Sequence, residues 1–74
     1  MTPHGKLVKL KLLIIKWEYN THQKFTTMFD GSVYTLHDVH QYIDWYENDP
    51  SRLNMQYMMR TANHMYKIIK GYEE

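Results

Sequence analysis

The sequence predicts a small α+β domain, a three-stranded antiparallel meander followed by two α-helices packed on one face of the sheet. Three observations carry this expectation. Apolar residues alternate in the N-terminal quarter, an Asp-Gly pair marks a tight turn, and apolar residues recur at helical spacing through the second half.

Residues 1–5 read as a frayed terminus of a single domain spanning 1–74. From Lys6 the helical template fits poorly, with Lys6, Lys9, Lys11 and Lys16 taken as falling all round the wheel. The two-residue template places Val8, Leu10, Leu12 and Ile14 on one face and Lys9 and Lys11 on the other. Beyond Leu12 both faces are apolar, as Leu13, Ile15, Trp17 and Tyr19 join in. The expectation is a long strand from Lys6 to Tyr19. Asn20-Thr21-His22-Gln23 reads as a polar turn, and Lys24 to Phe29 as a second strand with Phe25, Thr27 and Phe29 on one face. Asp30-Gly31 is the strongest local signal. Glycine accepts φ > 0 and Asp-Gly suits a two-residue hairpin turn, so Val33-Tyr34 follows as a short third strand.

Thr35 then suits an N-cap, with Asp38 three residues on in a capping-box position. Leu36, Val39, Tyr42, Ile43 and Tyr46 share one side of the first helix, which Asn48-Asp49-Pro50 ends. The second helix is expected from Pro50 to Lys70, with Gly71 as its stop. Its core face holds Met55, Met58, Met59, Ala62, Met65, Tyr66 and Ile69. Thioethers fill irregular spaces and also serve adaptable grooves; core packing is the ordinary role.

A chain of 74 residues without cysteine has no disulfide or thiolate metal site to stabilise it, and suits a reducing compartment, the cytoplasm. Seven Tyr, two Trp, two Phe and six Met must build the core, and a homodimer would enlarge the buried area. The Lys6–Trp17 stretch is interrupted by Lys9, Lys11 and Lys16, so no membrane span or signal peptide is expected.

Charge is segregated. Residues 1–29 carry five Lys against Glu18, residues 30–49 carry only the acids Asp30, Asp38, Asp44, Glu47 and Asp49, and residues 50–70 carry only Arg52, Arg60, Lys67 and Lys70. The bland explanation is intramolecular, an acidic helix drawn to two basic segments. The functional one is a basic face for an acidic partner.

Three constellations stand out. The outer stripe of the second helix holds Arg52, Gln56, Arg60, Asn63, Lys67 and Lys70 and no acid, side chains that also reach phosphates and base edges. A pI near 8.0 lies below that usual for a nucleic-acid-binding domain. Leu53, Tyr57 and Ile68, with Trp45 near the edge of the first helix's apolar face, form an apolar flank beyond what one docked stripe requires, and aromatic anchors favour interfaces. His37, His40 and Asp44 have metal-like helical spacing, with His22 or His64 as a remote fourth ligand, but ordinary solvated polar residues are the expectation and no metal or cofactor is implied.

Catalysis is not expected. Ser32 and Ser51 sit at a turn and a helix start, and neither a phosphate-binding loop nor a nucleophile–base pairing is visible. The expected function is a non-enzymatic protein-binding module, a regulator, inhibitor or adaptor. Small phage-encoded proteins that block host machinery are similar in type, an analogy with no motif behind it. The binding set would be Arg52, Leu53, Gln56, Tyr57, Arg60, Lys67, Ile68 and Lys70. Nucleic acid on the same basic face is the alternative. Should Tyr57 belong to the core, the edge of the N-terminal strand is the next candidate.

Overall fold

A computed structural model describes residues 2–73; Met1, part of the stretch expected to fray, and Glu74 lie outside the described residues. The order is helix, hairpin, helix, one 3-10 turn, helix: α1 (Pro3–Thr21), β1 (Thr26–Phe29), β2 (Ser32–Thr35), α2 (Leu36–Asn48), the 3-10 turn Pro50–Arg52 and α3 (Met55–Glu73). This helix-rich α+β arrangement corrects the expected meander. The sheet has two strands, and the segment expected as the first strand is α1.

The physical reason lies in the wheel. At 100° per residue, Lys6, Lys9 and Lys16 fall within about 80° of one another and only Lys11 stands apart. Leu7, Leu10 and Ile14, spaced three and four apart, are buried together, whereas Leu12 is exposed. Leu and Lys are good helix formers, and a strand of this length would be unusual. The start is well capped: Thr2 Oγ1 accepts the Gly5 N–H at 3.0 Å and Pro3 occupies the first turn. Helix thus begins inside the stretch expected to fray. It ends at His22, whose φ of 57° lies in the left-handed region.

The hairpin forms as its turn residues dictate. Phe29 pairs with Ser32 across Asp30 (φ 55°) and Gly31 (φ 80°), the two positive φ values of a type I′ turn. Thr27, Phe29 and Tyr34 face inward; Thr26, Met28 and Val33 are exposed. The Thr35 N–H donates to Asp38 Oδ2 at 2.8 Å and opens α2 as expected.

Two boundaries differ from expectation. Pro50 begins only a 3-10 turn, since Leu53 returns to extended backbone and Asn54 supplies the cap of α3, its Oδ1 accepting the Tyr57 N–H at 3.0 Å. Gly71 does not stop α3, which runs on to Glu73.

α1 packs against both α2 and α3, β1 leans on α3 and β2 on α2. Leu7, Leu10 and Ile14 of α1 meet Val39 and Tyr42 of α2 and Met58, Ala62, Met65 and Ile69 of α3, with Phe25 and Tyr34 closing one side. The helices therefore pack on one another, not side by side on a sheet. Thr61, fully buried, is satisfied by donating to the Tyr57 carbonyl at 2.9 Å.

Candidate functional site

The outer side of α3 keeps five of the six residues expected of it, and Arg52 lies outside it in the 3-10 turn. Gln56, Arg60, Asn63, Lys67 and Lys70 fall within about 80° on the wheel and all are exposed. Arg60 carries its guanidinium over the Phe29 ring, 5.8 Å from the centroid, which anchors this side of the stripe to the hairpin.

The apolar flank has a different role from the one its sequence suggests. Tyr57 and Tyr34 join through their hydroxyls, His64 Nε2 lies 3.3 Å from Thr27 Oγ1, and the Phe29 and His64 rings are 5.0 Å apart. Ile68 packs against the core. The hairpin covers Tyr57 and His64, and Ile68 packs inward, so this flank is occupied within the chain. Leu53 and Arg52 belong elsewhere. With Tyr57 they line a cavity of about 280 Å³ against Tyr42 and Trp45, and Arg52 pairs with Asp49 at 2.9 Å. The eight expected binding residues thus divide: Gln56, Arg60, Lys67 and Lys70 share the outer stripe, Arg52, Leu53 and Tyr57 ring the cavity, and Ile68 is inward.

α1 adds what sequence reasoning missed. Lys6 Nζ donates to Asn63 Oδ1, and the Lys6 and Lys9 ammonium groups lie 5.4 and 5.8 Å from the centroid of the Tyr66 ring. The cations of two helices therefore form one surface across Tyr66. Beside Lys9 and Lys16, on the side of α1 away from the core, run Val8, Leu12, Ile15 and Tyr19. Leu12 is 58% exposed, Ile15 41% and Tyr19 79%, and Val8 is partly exposed. Their spacing of four, three and four residues was the available signal.

Of the acids whose side chains are described, all but Glu18 belong to elements other than α1 and α3. Asp38, Asp44 and Glu47 belong to α2, Asp49 to its end and Asp30 to the hairpin turn. Glu18 lies on α1, its Oε2 accepting the Phe25 N–H at 2.8 Å. The pairs His4–Glu47, at 3.6 Å, and Arg52–Asp49 tie α2 to the start of α1 and to the 3-10 turn, and neither uses a lysine.

His37, His40 and Asp44 stay on the exposed side of α2, where Asp44 Oδ1 accepts from Asn48 Nδ2 at 2.9 Å. Among the described residues no three His, Asp or Glu side chains gather in a group able to hold a metal ion. Ser51 donates to Asp49 Oδ1 at 2.7 Å within the 3-10 turn. The residues of a second cavity, about 440 Å³, include Lys16, Trp17 and Tyr72, the two rings stacked 5.2 Å apart. Among the described residues no helix is long and apolar enough to cross a membrane. The chain matches no protein-family model, no curated protein and no solved structure.

Proposed function

We propose that the protein is a non-enzymatic binding module of the cytoplasm that captures an acidic protein partner on the joint surface of α1 and α3. The observation that carries this is the bridge at Tyr66. Lys6 and Lys9 of α1 meet Asn63 and Tyr66 of α3, so that Lys6, Lys9, Arg60 and Lys67 act as one cationic field. A protein is favoured over nucleic acid by the neighbouring apolar side chains of Leu12, Ile15 and Tyr19. Nucleic-acid interfaces are polar and wet, whereas a protein interface combines an apolar centre with a charged rim. The absence of cysteine suits the reducing interior assigned to the module.

The test is affinity capture with the purified chain, with and without nuclease, across a salt series. The expected result is a nuclease-resistant acidic protein. Its association slows in the Arg60→Glu/Lys67→Glu double variant and loses part of its salt dependence, while the variant stays folded by circular dichroism. Capture of material that disappears with nuclease and falls steeply with salt would make the surface a nucleic-acid site.

A further inference from the structure

We propose that the outer face of α1 is a docking seam for one acidic amphipathic helix of the partner protein. This inference rests on the α1–α3 surface being a protein-binding face, and it names the occupant.

The seam begins with phase. Val8, Leu12, Ile15 and Tyr19 fall within about 60° of one another on α1, the width of a coiled-coil stripe and narrower than the face a helix turns to a globular core. Leu7, Leu10 and Ile14, on the side facing α2 and α3, are fully buried. α1 is therefore apolar on two sides, and the fold covers one. The seam is about 16 Å long, three turns of helix.

Its charges select the occupant. In heptad terms Val8 and Ile15 stand at d and Leu12 and Tyr19 at a, which sets Lys9 and Lys16 at e and Lys11 and Glu18 at g. The Glu18 carboxylate already accepts the Phe25 N–H. A second copy laid parallel sets Lys11 against Lys16; an antiparallel copy sets Lys9 against Lys16 on one flank and Lys11 against Glu18 on the other, so that repulsion and attraction cancel and its charges add nothing net, whereas an acidic helix faces three lysines and one acid. A helix with Glu or Asp at its flanking positions meets lysines on both sides of the seam. A lipid surface is a poorer match, because interfacial helices insert a broad apolar face and this one is a single stripe wide. The lysine stems extend the apolar contact while their ammonium groups remain at the rim.

The probe is a synthetic three-heptad peptide with Leu at a and d and Glu at e and g, fluorescently labelled and titrated with the full chain by anisotropy. Its comparator carries Lys at e and g. The acidic peptide is expected to bind at least about tenfold more tightly than the basic one. Leu12→Gln with Ile15→Gln should weaken it about tenfold while circular dichroism and Tm remain unaltered, and Lys9→Glu with Lys16→Glu should reverse the preference. Equal binding of the two peptides, or none, would overturn the inference. So would a concentration-dependent dimer in sedimentation, or binding to phosphatidylcholine–phosphatidylserine vesicles, if abolished by the Leu12 and Ile15 changes. If the seam variants leave capture of an acidic protein intact while Arg60→Glu/Lys67→Glu impairs it, the seam fails and the broader function stands. A nucleic-acid ligand would remove both.

Discussion

The hydroxyl groups of Tyr34 and Tyr57 hydrogen-bond to each other and join the hairpin to α3. Tyr57 is half-buried and packs against the core, and Tyr34 is almost fully enclosed. Tyr57→Ala should cost about 2 kcal/mol, through lost packing and a Tyr34 hydroxyl left without its partner. Tyr57→Phe should cost only about 1 kcal/mol. Urea unfolding of both variants measures the difference. A Tyr57→Ala protein as stable as the parent would return Tyr57 to the outer surface.

Gly31 and Gly71 make opposite predictions. An added Cβ meets nothing within 4 Å at either position, so backbone conformation alone decides. Gly31 sits at φ 80°, and Gly31→Val should cost about 1 kcal/mol or more, with Gly31→Asn milder because Asn tolerates that region. Gly71 lies inside α3, where Gly71→Ala should stabilise by a few tenths of a kcal/mol up to about 1 kcal/mol. Thermal melts of the two variants should shift in opposite directions.

Local signals in the sequence carry local structure well. Asp30-Gly31 specifies its turn and Thr35 with Asp38 its cap because each involves neighbours along the chain. The outer stripe of α3 is legible for the same reason. α1 is not, because a helix apolar on two sides also satisfies alternation at Val8, Leu10, Leu12 and Ile14. Thr2-Pro3, a cap followed by a first-turn proline, is the signal that distinguishes the two. The fate of Tyr57, His64 and Ile68 is a tertiary matter. Tyr57 and His64 meet Tyr34, Thr27 and Phe29, whose approach to α3 no helical wheel displays.

Tyr42 predicts an alkaline loss of stability. Burial holds its hydroxyl above the ordinary value of 10.0; the Thr61 hydrogen bond opposes that rise, and the charges of Tyr34 and Asp38 add to it. With the folded pKa above the unfolded one, the contribution is complete below about pH 10, where both states keep the proton. Above it the unfolded chain releases the proton first, and stability falls until the folded pKa is passed. Tyr42→Phe should decline less steeply than the parent through the alkaline range. Parallel pH profiles for parent and variant would show that Tyr42 carries no such linkage.

Leu10 and Leu12 distinguish helix from strand most directly. Two residues apart, they share a face in any strand and would respond alike to truncation. In α1 they are separated by about 160° of rotation. Leu10 has no exposed surface, whereas Leu12 is exposed on the seam. Leu10→Ala should therefore cost about 3 kcal/mol and lower Tm by more than about 10 °C, since it leaves a cavity between α1 and its partner helices. Leu12→Ala should change stability by no more than about 0.5 kcal/mol, because Leu12 is more than half exposed and alanine favours the helix. Its effect belongs to the acidic peptide, whose binding it should weaken at unchanged Tm. Equal destabilisation by the two substitutions would contradict the helical phase, and with it the seam on the outer face of α1.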